Sequence, residues 1–150
     1  MAGGATNLAY WLTTAGEYDE AAQLLDEALA TRRKALGNDH PQVASTLTVQ
    51  ANLFVARKQY TEALEGTTEA LRILALNLPD DHWLVAMAKN VRGAALTGLR
   101  RYPEAEKLLL ASLPALSGSP IADLPQRGRA RLADLYTAWG KPEEAEKYAR

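Results

Sequence analysis

Two histidines are the side chains of this sequence best suited to acid–base or metal chemistry, and each follows an aspartate: Asp39-His40 in "ALGNDHPQVA" and Asp81-His82 in "PDDHWLVA". Such a pair can orient an imidazole for proton transfer or contribute to a metal site. Nothing around them completes either task. The chain has no cysteine, so it has no thiolate ligand and no disulfide framework. It also lacks a glycine-rich phosphate loop, a His-Glu-x-x-His pair, a Gly-x-Ser-x-Gly elbow and an acidic calcium loop. The two histidines stand 42 residues apart. One structural repeat would separate them by about a helix diameter, ~10 Å, too far to share one ion. A non-enzymatic chain without metal or cofactor is therefore expected. Asn38 or Asp39 is expected to cap the following helix, with Pro41 in its first turn, where no N–H partner is lost.

The 42-residue spacing is the stronger signal. "GEYDEA" at 16–21 returns as "KQYTEA" at 58–63, "RRYPEA" at 100–105 and "GKPEEA" at 140–145. Tyr18, Tyr60 and Tyr102 share the period, and Asp123 continues the series from Asp39 and Asp81. The fourth unit is two residues shorter, since Pro142 lies 40 residues beyond Tyr102, and "ADLPQR" has Leu124 where a histidine would fall. Within a unit, Val43, Leu47, Ala51 and Phe54 recur at steps of three and four, then Tyr60, Ala63, Leu64, Ala70, Leu71 and Leu74 do so again. Each unit thus reads as two amphipathic helices joined by a tight turn. Small residues at fixed places let the paired backbones approach: Ala9, Ala51, Gly93 and Ala133 in the first helix, Ala21, Ala63, Ala105 and Ala145 in the second. One hairpin cannot bury its own stripe, so the units must stack. The expected fold is all-α, an α-solenoid of antiparallel helix pairs forming a single array over residues 1–150, with units of about 1–38, 39–80, 81–122 and an incomplete 123–150. "MAGG" reads as a start placed before a first helix, and "EEAEKYAR" as an unfinished last one, so a fragment of a longer protein is expected.

Composition narrows the partners. A net charge of −1 gives no general attraction to nucleic acid or an anionic membrane. "TRRKALG" at 31–37 is a candidate basic patch, but it ends a helix whose start carries Asp19 and Glu20, so it is expected to complement the helix dipole before the stop at Gly37. No apolar run approaches the roughly 20 residues that span a bilayer. With no cysteine and no secretion signal, a cytoplasmic protein is expected. Trp11 and Trp139 are expected in the core, and Trp83 at a repeat junction.

Alanine or glycine in the first helix, then Gly-x-Tyr-x-x-Ala, then a further alanine such as Ala28 or Ala70, resembles the tetratricopeptide repeat. The match covers nearly the whole chain. The period departs from the usual ~34 residues, and the longer version ending in "ALGNDHPQVASTL" is similar to the repeats of kinesin light chains and of many bacterial proteins. "RLADLYTAWGKPEEAEKY" also resembles the end of arrays that follow the kinase domain in some bacterial serine/threonine kinases, although no kinase motif is present.

The resemblance implies that first helices line a concave groove, which takes a peptide or partner protein. Carried onto this phase, it places Thr6, Asn7, Tyr10, Thr13 and Thr14 there from unit one. Unit two would add Ser45, Thr48, Val49, Asn52 and Val55, and unit three Met87, Asn90, Val91, Ala94 and Thr97. Unit four would contribute Arg127, Ala130, Arg131, Asp134 and Thr137. Asparagines suit an extended backbone, because their amides both donate and accept. Arg127 and Arg131, four apart on one face, are expected to take an acidic side chain or carboxylate. Asn7 matches a position at which family members grip a C-terminal carboxylate, but Val49 and Val91 stand at its equivalents, which argues against a chaperone-tail receptor. The alternative function is an assembly element that stacks through its repeat ends, the truncated C-terminal end around Tyr148 meeting either a second copy or a further repeat of a longer array.

Overall fold

A computed structural model describes residues 2–149. Eight helices and no strand are found among them: α1 (Ala2–Thr14), α2 (Tyr18–Leu36), α3 (Pro41–Ala56), α4 (Tyr60–Asn77), α5 (Trp83–Gly98), α6 (Tyr102–Leu116), α7 (Leu124–Ala138) and α8 (Pro142–Tyr148). Among the described residues no helix is long and apolar enough to cross a membrane.

The turn within each pair is built the same way four times. Gly16, Lys58, Arg100 and Gly140 all have positive φ, between 62° and 85°. The residue after each donates its N–H to a carbonyl five positions back: Glu17 to Leu12, Gln59 to Phe54, Arg101 to Leu96 and Lys141 to Tyr136, at 2.7–2.9 Å. Gly16, Lys58, Arg100 and Gly140 themselves donate to the carbonyls three back. This is the Schellman stop, which satisfies last-turn carbonyls by one left-handed residue. The "GEYDEA" motif and its three copies therefore mark a conformation as well as a contact.

The tyrosine of the motif then locks one pair to the next. The Tyr60 ring lies over Gly98, where an added Cβ would come within 2.4 Å of it. Tyr102 stacks on Trp139 at 5.7 Å, and Arg57 covers Tyr18 at the same distance. Gly93 performs the close approach expected of small residues, since a Cβ there would meet Leu109 Cγ at 2.6 Å.

The odd-numbered helices pack in succession, α1 on α3, α3 on α5 and α5 on α7. Helices α2, α4 and α6 each pack on their own partner and on the next odd one, and α8 packs on α7. An inner layer of first helices and an outer layer of second helices result. Between the layers, Leu25, Leu47, Leu53, Ile73, Leu74, Leu84, Leu116 and Leu124 join one apolar core, and Leu96, Leu109, Leu132 and Leu135 another.

At the boundaries between pairs the histidine is the cap, in place of Asn38 or Asp39. His40 Nδ1 accepts from Gln42 N–H and His82 Nδ1 from Leu84 N–H, both at 3.0 Å, with extended backbone at each histidine. Pro41 is the first residue of α3. Asp39 instead pairs with Arg72 at 2.7 Å, and its carbonyl accepts from Asn77. The third boundary departs from this pattern. Asp123 makes no side-chain cap, its ψ is 3°, and residues 117–123 form an irregular loop. Its carboxylate turns to Arg127 Nε at 2.6 Å.

Candidate functional site

Helices α1, α3 and α5, together with the loop before α7, enclose a cleft of about 560 Å³. Helix α1 contributes Thr6, Asn7, Tyr10 and Trp11, α3 contributes Ser45 and Val49, and α5 contributes Trp83, Leu84 and Met87. Pro120, Ile121, Ala122 and Asp123 close the far side. A second hollow on the inner layer lies by Val55, Tyr60, Thr97, Arg131 and Asp134.

The groove residues expected from the sequence separate into three groups. Thr6, Asn7, Tyr10, Ser45 and Met87 line the cleft, and Thr97, Arg131 and Asp134 line the second hollow. Thr13 and Thr48 are buried and donate to the carbonyls of Ala9 and Ala44 in their own helices, so neither presents a free hydroxyl. Asn52 and Asn90 are also buried, and their amide oxygens both accept from Arg131. Thr6 Oγ1 lies 3.3 Å from Thr46 Oγ1. Trp11, expected in the core, is half exposed with its ring edge-on to Tyr10 at 5.1 Å. Trp139 is packed between Tyr102 and Tyr136.

Arg131 is the centre of the inner layer. From α7 it donates to Asn90 on α5 at 3.0 Å and to Asn52 on α3 at 2.6 Å. Asn90 in turn donates to Ser112 at 3.1 Å, and Ser112 to the Leu109 carbonyl at 2.8 Å. One cation thereby ties the second, third and fourth pairs. Burial pushes its pKa down to about 10, which leaves it charged at neutral pH. Gly128 lets α7 come this close: a Cβ there would lie 2.4 Å from Leu116 Cδ1 and 3.4 Å from the Asn90 amide.

Arg127 is engaged as well. Besides its bond to Asp123, its guanidinium lies over the Tyr10 ring at 5.3 Å, linking α7 to α1. The arginines expected to receive an acidic group thus already have partners within the fold. Tyr10 and Asp123, which line the cleft, each keep a buried oxygen, Oη and Oδ1, with no hydrogen-bond partner among the described residues. Burial raises the Tyr10 pKa, an effect that Arg127 opposes.

Elsewhere, Arg32 is corrected from a dipole-complementing surface charge to a buried group, donating to the Gln42 carbonyl and to Thr46 at 2.7 and 2.9 Å. Arg33 and Lys34 do occupy the last turn of α2. Tyr148 is half-buried, stacked on Tyr136 at 5.9 Å and covered by Arg129 at 5.2 Å. Sequence reasoning missed the loop 120–123 as a cleft wall. The two-residue shortening of unit four was the signal that this boundary would differ.

The tetratricopeptide repeat family profile matches residues 1–75. Among solved structures, a Podosopora anserina protein described as a kinesin light chain with nearly identical TPR-like repeats is 23% identical, with a TM-score of 0.73 over 97% of this chain and 70% of that one. BtubC (BKLC) from P. vanneervenii is 19% identical, with a TM-score of 0.72 over 99% of this chain and 60% of that one. A TPR-like protein from Chlorobium tepidum is 20% identical, with a TM-score of 0.69 over 97% of this chain and 94% of the other. At these identities the likeness is one of fold. No curated protein sequence matches the chain.

Proposed function

The chain belongs to the tetratricopeptide repeat family, and from that premise we propose that it is a non-catalytic scaffold whose inner-layer cleft receives an extended peptide segment of a partner protein. The observation that carries this reading is the cleft itself. It has apolar walls from Trp83, Leu84 and Met87, polar residues at Thr6, Asn7 and Ser45, and contributions from three successive pairs. A cleft with mainly apolar walls and a few placed polar groups is the common form of a ligand site. Both histidine Nδ1 atoms are engaged in capping, which favours a structural role for the residues best suited to chemistry. The absence of cysteine supports a cytoplasmic setting. Selection of peptides on the purified chain, followed by titration against Ser45→Trp, tests the reading. Ser45 is half-buried on the cleft wall, so the indole should fill the cleft and abolish binding, whereas Glu27→Lys on the outer layer should not. Equal affinities for all three proteins would refute it.

A second reading, self-assembly, is favoured by one observation at the other end from the one expected. Leu8 and Trp11 are 49% and 50% exposed. One, two and three units on, Trp11 is replaced by Leu53, Ala95 and Leu135, each at most 1% exposed. Position 8 becomes Gln50 and Arg92, which reach back to Asp26 and to the Leu64 carbonyl in the preceding pair. The face of α1 that includes Leu8 and Trp11 is thus the one on which a preceding second helix sits in later units. Light scattering over a concentration series, with Leu8→Glu as control, tests association through it, and a monomer at every concentration would refute it.

A further inference from the structure

We infer that the segment received by the cleft presents a basic side chain, its aliphatic stem along Trp11, Leu84 and Met87 and its cationic head at Asp123. This rests on the groove reading above and adds the chemistry of the ligand. The sequence pointed to the opposite sign, because Arg127 and Arg131 share a face of α7. The structure removes both arginines from the cleft wall. Arg131 is held by two asparagine oxygens, and Arg127 by Asp123 Oδ2 and the Tyr10 ring. The charged residue that does line the cleft is Asp123.

Asp123 is left half satisfied. Oδ2 accepts from Arg127, while Oδ1 is buried and meets no donor among the described residues. Tyr10, a cleft-lining residue only 4% exposed, likewise has its Oη without a partner among the described residues. Buried polar atoms are nearly always paired, and an unpaired acceptor on a charged group is the costliest kind. A donor arriving through the cleft supplies what is missing. The terminal torsion of a carboxylate is broad, so a turn toward that donor uncovers Oδ1 while loosening the Oδ2 bond to Arg127.

The walls select among donors. Trp11, Trp83, Leu84, Met87 and Ile121 make an apolar approach to Asp123. Lysine and arginine combine an apolar stem with a cationic tip, and an indole face attracts the same cation. An acidic side chain would meet a like charge and leave Oδ1 without a donor. A purely apolar one would fill the walls but also leave Oδ1 unpaired.

The test passes a positional-scanning library of N-acetylated, C-amidated octapeptides over the immobilised full chain, then titrates the best peptide and its norleucine counterpart. Norleucine keeps the stem and removes the charge. The expected result is enrichment of lysine or arginine at one position, with norleucine there weakening binding about 10-fold, the scale of one charge-assisted hydrogen bond. Asp123→Asn should weaken the basic peptide to the norleucine level, while far-UV dichroism matching the wild type reports that the variant is folded. A selected peptide that is lost in Ser45→Trp but shows no basic preference overturns this inference and keeps the groove reading. No retained peptide, or retention indifferent to Ser45→Trp, overturns both.

Discussion

Replacing Lys58 and Arg100 by glycine should stabilise the protein. Both residues sit at the left-handed position of the Schellman stop, with φ of 62° and 63°, where units one and four have Gly16 and Gly140. A non-glycine residue there costs about 1–2 kcal/mol relative to its right-handed conformation. Glycine removes that cost but brings roughly 0.5–1 kcal/mol of extra chain entropy to the unfolded state. The difference is about 0.5–1 kcal/mol per site in favour of glycine. Neither side chain offsets it, because both are exposed and neither makes a side-chain hydrogen bond or ion pair among the described residues. The turns belong to different pairs and share no partner, so their effects should add to about 1–2 kcal/mol. For a chain of this length that is a rise in Tm of roughly 2–8 °C. Urea titration followed by far-UV circular dichroism measures it at constant m-value. Gly16→Ala and Gly140→Ala should lower stability by a similar amount per site. Loss of stability in Lys58→Gly and Arg100→Gly, or indifference to alanine at Gly16 and Gly140, would refute the common turn geometry.

Arg131→Ala should cost about 2–4 kcal/mol, since it leaves the buried Asn52 and Asn90 oxygens without donors. Arg127→Ala should cost less than about 1 kcal/mol, because both members of its pair with Asp123 are a third or more exposed; the two variants can be compared in the same urea titration. Gly98→Ala should destabilise by roughly 1–3 kcal/mol, as its Cβ would overlap the Tyr60 ring, and near-ultraviolet dichroism should report the displaced tyrosine. His40→Ala should cost about 1 kcal/mol through loss of the cap at Gln42, while His40→Asn, a good N-cap, should hold the wild-type midpoint.

Short-range pattern carried most of the architecture. The helix pairs follow from apolar steps of three and four, and their register from a period that Tyr18, Tyr60 and Tyr102 repeat. These features are decided within a few residues of chain: a stripe needs only its own helix, and a turn only its own left-handed residue. Even the close approach at Gly93 was legible, because alanine stands at its equivalents Ala9, Ala51 and Ala133.

The site was legible only in part, and for a physical reason. A first-helix residue can face the groove, the adjacent pair or a carbonyl of its own helix, and helical period alone does not separate these. Thr48 has its own carbonyl partner within four residues, whereas Asn52 and Arg131 meet across 79 residues of sequence. That pairing depends on how sharply the stack curves and how closely Gly128 lets α7 approach. The sequence by itself determined the repeat, the helices and their stops, because those rest on local conformation. Only the tertiary structure decided the character of the cleft: it engaged Arg127 and Arg131 of α7, brought the loop at 120–123 in as a wall, and left Asp123 and Tyr10 each with a buried oxygen short of a partner among the described residues.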